Sequence, residues 1–126
     1  MEGGLKLGRH LIADLSGCDP LLLDDVSFLE KLAVRAVEEG GGTVLATRSH
    51  KFAPQGATVV VLVAESHLAL HTWPEHGFIG FDYFTCGVRL DPRVALRVIT
   101  EALAPTDVAT SELERGTSFP VPRPPD

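Results

Sequence analysis

The chain has 126 residues, 44% hydrophobic, 22% charged and only 6% aromatic, the size and balance of one small globular domain. Eleven Lys and Arg against seventeen Asp and Glu give a formal charge of −6, so on average the cationic surface that a nucleic-acid partner requires is missing. No apolar run reaches the roughly 18 residues of a membrane span and the first residues do not read as a signal peptide; a cytoplasmic protein with no nucleic-acid or membrane partner is expected.

Residues 5–15 mix Leu7, Leu11, Ile12 and Ala13 with polar positions and then meet Ser16, Gly17, Cys18, Asp19 and Pro20, which reads as a strand followed by a turn. Over residues 25–39 the apolar Val26, Leu29, Leu32, Ala33, Ala36 and Val37 recur at helical spacing. Asp24 or Asp25 can cap this helix, and Gly40 to Gly42 end it. Residues 43–52 alternate as a strand, Pro54, Gln55 and Gly56 break it, and the β-branched run 58–64 is typical of a fully buried strand, so the pair reads as a hairpin.

Residues 68–72 form another strand-like stretch, residues 74–77 turn the chain, and residues 78–85 read as a further strand. Asp91 and Pro92 then supply the N-cap and first position of a second helix carrying Val94, Val98, Ile99, Ala102 and Leu103, which Pro105 stops. Residues 106–113 close the pattern as a last strand. The order β-α-β-β-β-β-α-β predicts an α+β fold, a two-layer α/β sandwich whose mainly antiparallel sheet is covered on one face by two helices. A single domain is expected over residues 1–119. Four of the seven residues from Pro120 onward are proline, which predicts an extended tail over 120–126.

Chemistry-bearing residue types concentrate in Glu65, Ser66, His67, Leu68, Ala69, Leu70, His71, Thr72, Trp73, Pro74 and Glu75. Taken singly, Ser66 and the histidines are ordinary polar residues at a strand end. A metal reading would gather His67, His71, His76 and Cys86, since imidazole and thiolate are the usual zinc donors. The HxxxH spacing of His67 and His71, however, serves a metal on a helix, and this segment reads as a strand. Cys18 and Cys86 are too few for a disulfide scaffold; both are expected as free thiols, Cys18 as a small buried hydrophobe.

The same segment, preceded by His50, Lys51, Phe52, Pro54, Gln55 and Gly56 and followed by Phe84, Thr85, Cys86 and Gly87, resembles the small prokaryotic S-adenosylmethionine decarboxylase proenzymes. Leu7-Gly8-Arg9-His10 and Gly17-Cys18-Asp19-Pro20 at the front and Arg115-Gly116 near the end extend the likeness in register over nearly the whole chain. The resemblance implies self-cleavage of the bond between Glu65 and Ser66 into a β chain, residues 1–65, and an α chain, residues 66–126, that stay associated.

In that scheme the Ser66 hydroxyl attacks the Glu65 carbonyl to give an ester through an oxyanion. A base then takes the Ser66 α-proton so that the ester leaves by β-elimination, and hydrolysis yields ammonia and a pyruvoyl group, the covalent cofactor. By resemblance the base is His71, and Thr58 stands where a serine is expected to help processing. The pyruvoyl carbonyl would hold the substrate amine as a Schiff base and act as electron sink when CO2 leaves, with Cys86 returning the proton.

The substrate implied is S-adenosylmethionine, whose decarboxylated form supplies the aminopropyl group for spermidine. Phe52 and Trp73 are candidates for its adenine and sulfonium, with Glu65 or Glu75 as charge partners, although both aromatic residues could equally be core. Val88 and Ser16 depart from the pattern, where an acidic and an aromatic residue are common. Such departures keep open a related ornithine or arginine decarboxylase and, more remotely, a non-enzymatic ligand- or metal-binding module.

Spacing sets a condition on these roles. In one straight strand Ser66 and His71 stand roughly 16 Å apart at ~3.3 Å per residue, beyond the ~3 Å of proton transfer. Either the chain turns sharply near residues 65–68, or a second subunit supplies the histidine. A dimer of αβ units is expected.

Overall fold

The computed structural model describes residues 7–64, 66–86 and 90–117. Six strands, β1 (Gly8–Ser16), β2 (Val44–Lys51), β3 (Ala57–Val63), β4 (Ser66–Trp73), β5 (Phe78–Thr85) and β6 (Asp107–Arg115), form one sheet in the order β2-β3-β4-β5-β1-β6. Every neighbouring pair is antiparallel. Helices α1 (Pro20–Leu23), α2 (Val26–Glu39) and α3 (Pro92–Leu103) accompany the sheet, and a single 3-10 turn spans Pro74–His76.

Helix α2 starts where Asp25 accepts the Phe28 N–H at 3.0 Å, satisfying one of the donors that a first helical turn leaves free. It buries Leu29, Leu32, Ala33, Ala36 and Val37, the stripe set by its 3.6-residue period. Helix α3 begins in the same way, Asp91 accepting the Arg93 N–H at 2.9 Å with Pro92 in the first turn. It ends at Ala104, after which Pro105 has no N–H to continue the ladder.

The core lies between these helices and one face of the sheet, to which β1 gives Leu11, Ala13 and Leu15, β3 gives Val59, Val61 and Val63, β4 gives Leu68 and Leu70, and β5 gives Ile79, Phe81 and Tyr83. The predicted two-layer α+β sandwich with one covered face is what forms. Helix α1 is an addition, too short for any periodicity to announce it. Strand β1 runs to Ser16, β4 begins at Ser66 rather than 68, and β6 ends at Arg115 rather than 113.

One expectation is corrected. β3 is buried on one face only: Val60 and Leu62 are exposed while Val59 and Val61 are not. A β-branched run reads the same whether one face or both are covered, and here no helix among the described residues covers the second face. No helix among the described residues is long and apolar enough to cross a membrane. The expected tail, residues 120–126, lies outside the described residues.

Candidate active site

Ser66 opens β4 opposite Val63 of β3, leaving only residues 64 and 65 between the two strands. Along β4 the side chains alternate: Leu68, Leu70 and Thr72 are buried toward the helices, whereas His67 and Trp73 are exposed on the open face. Ser66 shares the parity of the buried set, and its Oγ is buried with no hydrogen-bond partner. His71 belongs to the other set.

Ser66 and His71 therefore lie on opposite faces and about 16 Å apart along the strand at ~3.3 Å per residue. No sharp turn intervenes over residues 66–68, because β4 keeps an unbroken register with β3 from Ser66 to His71. Of the two ways to bring His71 to Ser66, a bend at that point is excluded by the ladder itself.

The residues fall into two groups at opposite ends of the sheet. At the Ser66 end, antiparallel pairing brings the close of β5 alongside the start of β4, His67 opposite Phe84, so Cys86 follows one residue beyond Thr85 at the same end as Ser66. Cys86 is a free, half-buried thiol. On the open face there, His67 stacks on Phe84 with ring centroids 5.9 Å apart, His10 meets the Phe84 ring edge-on at 5.7 Å, and Arg115 lies over that ring at 5.7 Å. His10 Nε2 is 3.4 Å from Asp82. Glu65 and Val88 lie outside the described residues; Ser16 is the last residue of β1.

At the other end Thr58 and His71 are direct cross-strand neighbours, with Thr58 Oγ1 and His71 Nδ1 3.2 Å apart in a hydrogen bond. They line a cleft of about 310 Å³ together with Phe52, Gln55, Trp73 and Glu75. Phe52 and Trp73 are 45% and 44% exposed, so neither is a core residue. Clefts of about 360 and 370 Å³ elsewhere, at α2 and β2 and at α3 and β6, contain none of the candidate residues.

The floor of the Phe52 cleft is held by a short polar network. Thr72 Oγ1 donates to the Leu23 carbonyl at 2.7 Å and accepts the Ala57 N–H at 2.9 Å, tying α1 and β3 to β4 between His71 and Trp73. Asp24 accepts the Gly56 N–H at 2.8 Å and pairs with Lys51 at 2.9 Å, and these contacts hold its carboxyl below the usual range. Gly56 has φ +101°, and a β-carbon there would come within 3.1 Å of the Thr72 carbonyl, so glycine lets the turn after Phe52 close.

The metal grouping does not form. His67 and Cys86 stand at one end of the sheet, His71 at the other and His76 in the 3-10 turn; among the described residues no three His, Cys, Asp or Glu are grouped to hold a metal ion. Cys18 is 4% exposed and burial raises its thiol pKa, the environment of an inert packing cysteine.

The residue that the sequence reading missed is Tyr83. It is 1% exposed on the covered face of β5, and its hydroxyl is buried without a hydrogen-bond partner. The available signal was a phenol at a core-facing strand position, which normally requires a polar partner inside.

Comparison with known proteins converges on one family. Residues 9–116 match the family model described as S-adenosylmethionine decarboxylase. The chain is similar to the S-adenosylmethionine decarboxylase proenzyme 2 of Halalkalibacterium halodurans, 49% identical over 110 residues and 87% of each chain. It is also similar to the S-adenosylmethionine decarboxylase proenzyme of Moorella thermoacetica, 45% identical over 114 residues, 90% of this chain and 91% of that one. The crystal structure of the adenosylmethionine decarboxylase from Aquifex aeolicus VF5 superposes with a TM-score of 0.82 at 38% identity, covering 88% of this chain and 92% of that one. A match of this extent, over a stretch that contains Ser66, His71 and Cys86, makes the chain a member of the S-adenosylmethionine decarboxylase family.

Proposed function

We propose that this chain is a self-cleaving proenzyme whose processed form decarboxylates S-adenosylmethionine, yielding the aminopropyl donor for spermidine synthesis. The observation that carries this reading is the setting of Ser66: it opens β4 directly after the two-residue connection, with a buried hydroxyl, and Cys86 follows the end of β5 at the same end of the sheet. That hydroxyl directly follows the bond to be cut. These residues suit a pyruvoyl group built from Ser66 itself. Such a group supplies a carbonyl that binds the substrate amine and withdraws the electrons released with CO2.

The chain's own residues divide the remaining work. Ser66 attacks the Glu65 carbonyl, and His71 takes the Ser66 α-proton. For that task the His71 tautomer with Nδ1–H donating to Thr58 leaves the Nε2 lone pair free as base. Thr58 thereby orients the imidazole. Cys86, as a thiol, returns a proton to the substrate carbon after CO2 departs. Phe52 and Trp73 offer aromatic faces to adenine and to the sulfonium charge, and Glu75 lines the same cleft for the substrate's positive groups.

Two copies are required for one site. His71 lies far from Ser66 along a straight strand, yet a two-fold axis that sets one open sheet face against another would bring the Ser66 end of each copy to the His71 end of its partner. Exposed Val60, Leu62 and Leu113 lie on that face and would be covered in the process. The names of the relatives favour S-adenosylmethionine over ornithine or arginine as substrate. Mass measurement of the denatured protein tests the reading. Two species divided between residues 65 and 66, the 66–126 piece lighter by one ammonia than simple hydrolysis gives, with CO2 released from S-adenosylmethionine alone, support it. A single intact chain after prolonged incubation contradicts it.

A further inference from the structure

The helix side of the sheet holds, at the Ser66 end, a second buried hydroxyl without an ordinary hydrogen-bond partner, that of Tyr83. Tyr83 pairs with Leu68 across β4 and β5, so Ser66, two residues before Leu68, is its diagonal neighbour on the same face, within reach of an aromatic side chain. The Tyr83 hydroxyl reaches toward the β3–β4 connection: a β-carbon added at Gly42 would come within 3.1 Å of it and equally of Val63 Cγ1, and Val63 is the residue paired with Ser66. Both hydroxyls are buried, and neither has a hydrogen-bond partner of ordinary geometry. Leaving two such groups unpaired in a core costs free energy unless something uses them.

We propose that Tyr83 is a positioning residue for self-cleavage, its phenol O–H donating to Ser66 Oγ from the helix side while the base acts from the open side. The inference rests on the cleavage of the Glu65–Ser66 bond proposed above. In the first step Ser66 Oγ bonds to the Glu65 carbonyl carbon, the peptide C–N bond breaks, and the hydroxyl proton passes to the Ser66 nitrogen, which leaves as an amine. In the second the α-proton goes to the base, its bonding pair forms the Cα–Cβ double bond, and the Cβ–Oγ pair stays on Oγ, which departs in the Glu65 carboxylate. Tyr83 faces the oxygen on which that negative charge collects. Burial pushes its phenol up to about 12, opposed by the Ser66 hydroxyl, so at neutral pH it is a donor and not a base. His71 and Tyr83 thus divide the two partners of the elimination, proton and leaving oxygen, between the two faces of the sheet.

Tyr83→Phe removes one oxygen and keeps the ring. The expected result is about tenfold slower appearance of the 66–126 piece, the loss of one hydrogen bond to a developing charge. The ester should accumulate, recognised as hydroxylamine cleavage that leaves an intact Ser66 at the new N-terminus, while turnover per pyruvoyl group and melting temperature stay those of the parent. Cleavage at the parental rate without trapped ester overturns the inference. It is equally overturned if Leu11→Val, which loosens packing at the β1 residue paired with Tyr83 and leaves the hydroxyl in place, slows cleavage as much with ester building up likewise. An intact parent chain removes the cleavage reading and this inference together; a cut parent with an unaffected Tyr83→Phe removes only the inference.

Discussion

At one end of β4 stands Ser66, its hydroxyl buried on the helix side, with Cys86 just past the end of β5 and His10, His67 and Arg115 gathered on the Phe84 ring. At the other end stands His71, on the open side, tied to Thr58 and facing a cleft that Phe52 and Trp73 line. The first end has the nucleophile and the thiol, but its imidazoles are engaged with an aromatic ring and a carboxylate. The second has an oriented imidazole and room for a ligand, but no nucleophile to serve. On the reading proposed above, a site whose parts stand a strand's length apart would leave a lone chain intact and would be completed only by assembly.

The sharpest break of this comparison is Ser66→Ala: the chain should remain whole on a denaturing gel and release no CO2, because both the nucleophile and the future carbonyl are gone. Next is the choice between histidines. His71→Ala should slow cleavage by about 100-fold or more, the scale of losing a positioned general base. His67→Ala, although adjacent to Ser66, should leave cleavage within a few-fold, since its ring is stacked on Phe84. Comparison of the two time courses by mass decides which end supplies the base.

Cys86→Ala should still cleave yet lower CO2 release per pyruvoyl group by about 100-fold, which separates processing from turnover. The smallest effect concerns the turn beyond Phe52. Asp24→Asn keeps an acceptor for Gly56 but loses the charge pair with Lys51, so it should melt slightly below the parent near neutral pH. The carboxyl pKa is lowered in the folded state, so its contribution is present above the ordinary value of 3.8 and fades as pH falls through the lower folded value. The difference between the two melting curves should shrink over that acid range.

Much of this was legible in the sequence where one residue type has one physical use. Asp91 is a helix cap and Asp25, one of the two candidates offered, is another; the stripe from Leu29 to Val37 is the face of α2, and β5 spans the stretch its alternation marks. The straight-strand distance between Ser66 and His71 also followed from residue count, and β4 obeys it. The exposure of Val60 and Leu62 was not legible, because β-branched residues suit a strand whether its second face is covered by helix, by another copy or by nothing. Helix α1 stayed hidden because four residues carry no period. Tyr83 was hidden for another reason: its role depends on a diagonal neighbour seventeen residues away, which only the β4–β5 register reveals.

Co-expression of Ser66→Ala and His71→Ala chains, distinguished by a tag, tests the two-ended site most directly. Alone, the Ser66→Ala chain should stay intact and the His71→Ala chain should be cut only at the roughly 100-fold slower rate. In the mixed dimer the Ser66→Ala chain contributes a sound His71 to its partner's Ser66, so the His71→Ala chain alone should be cut between residues 65 and 66. If the mixed dimer forms and neither chain is cut, or if the His71→Ala chain cuts itself unaided at the parental rate, the site is not shared between copies and the account fails.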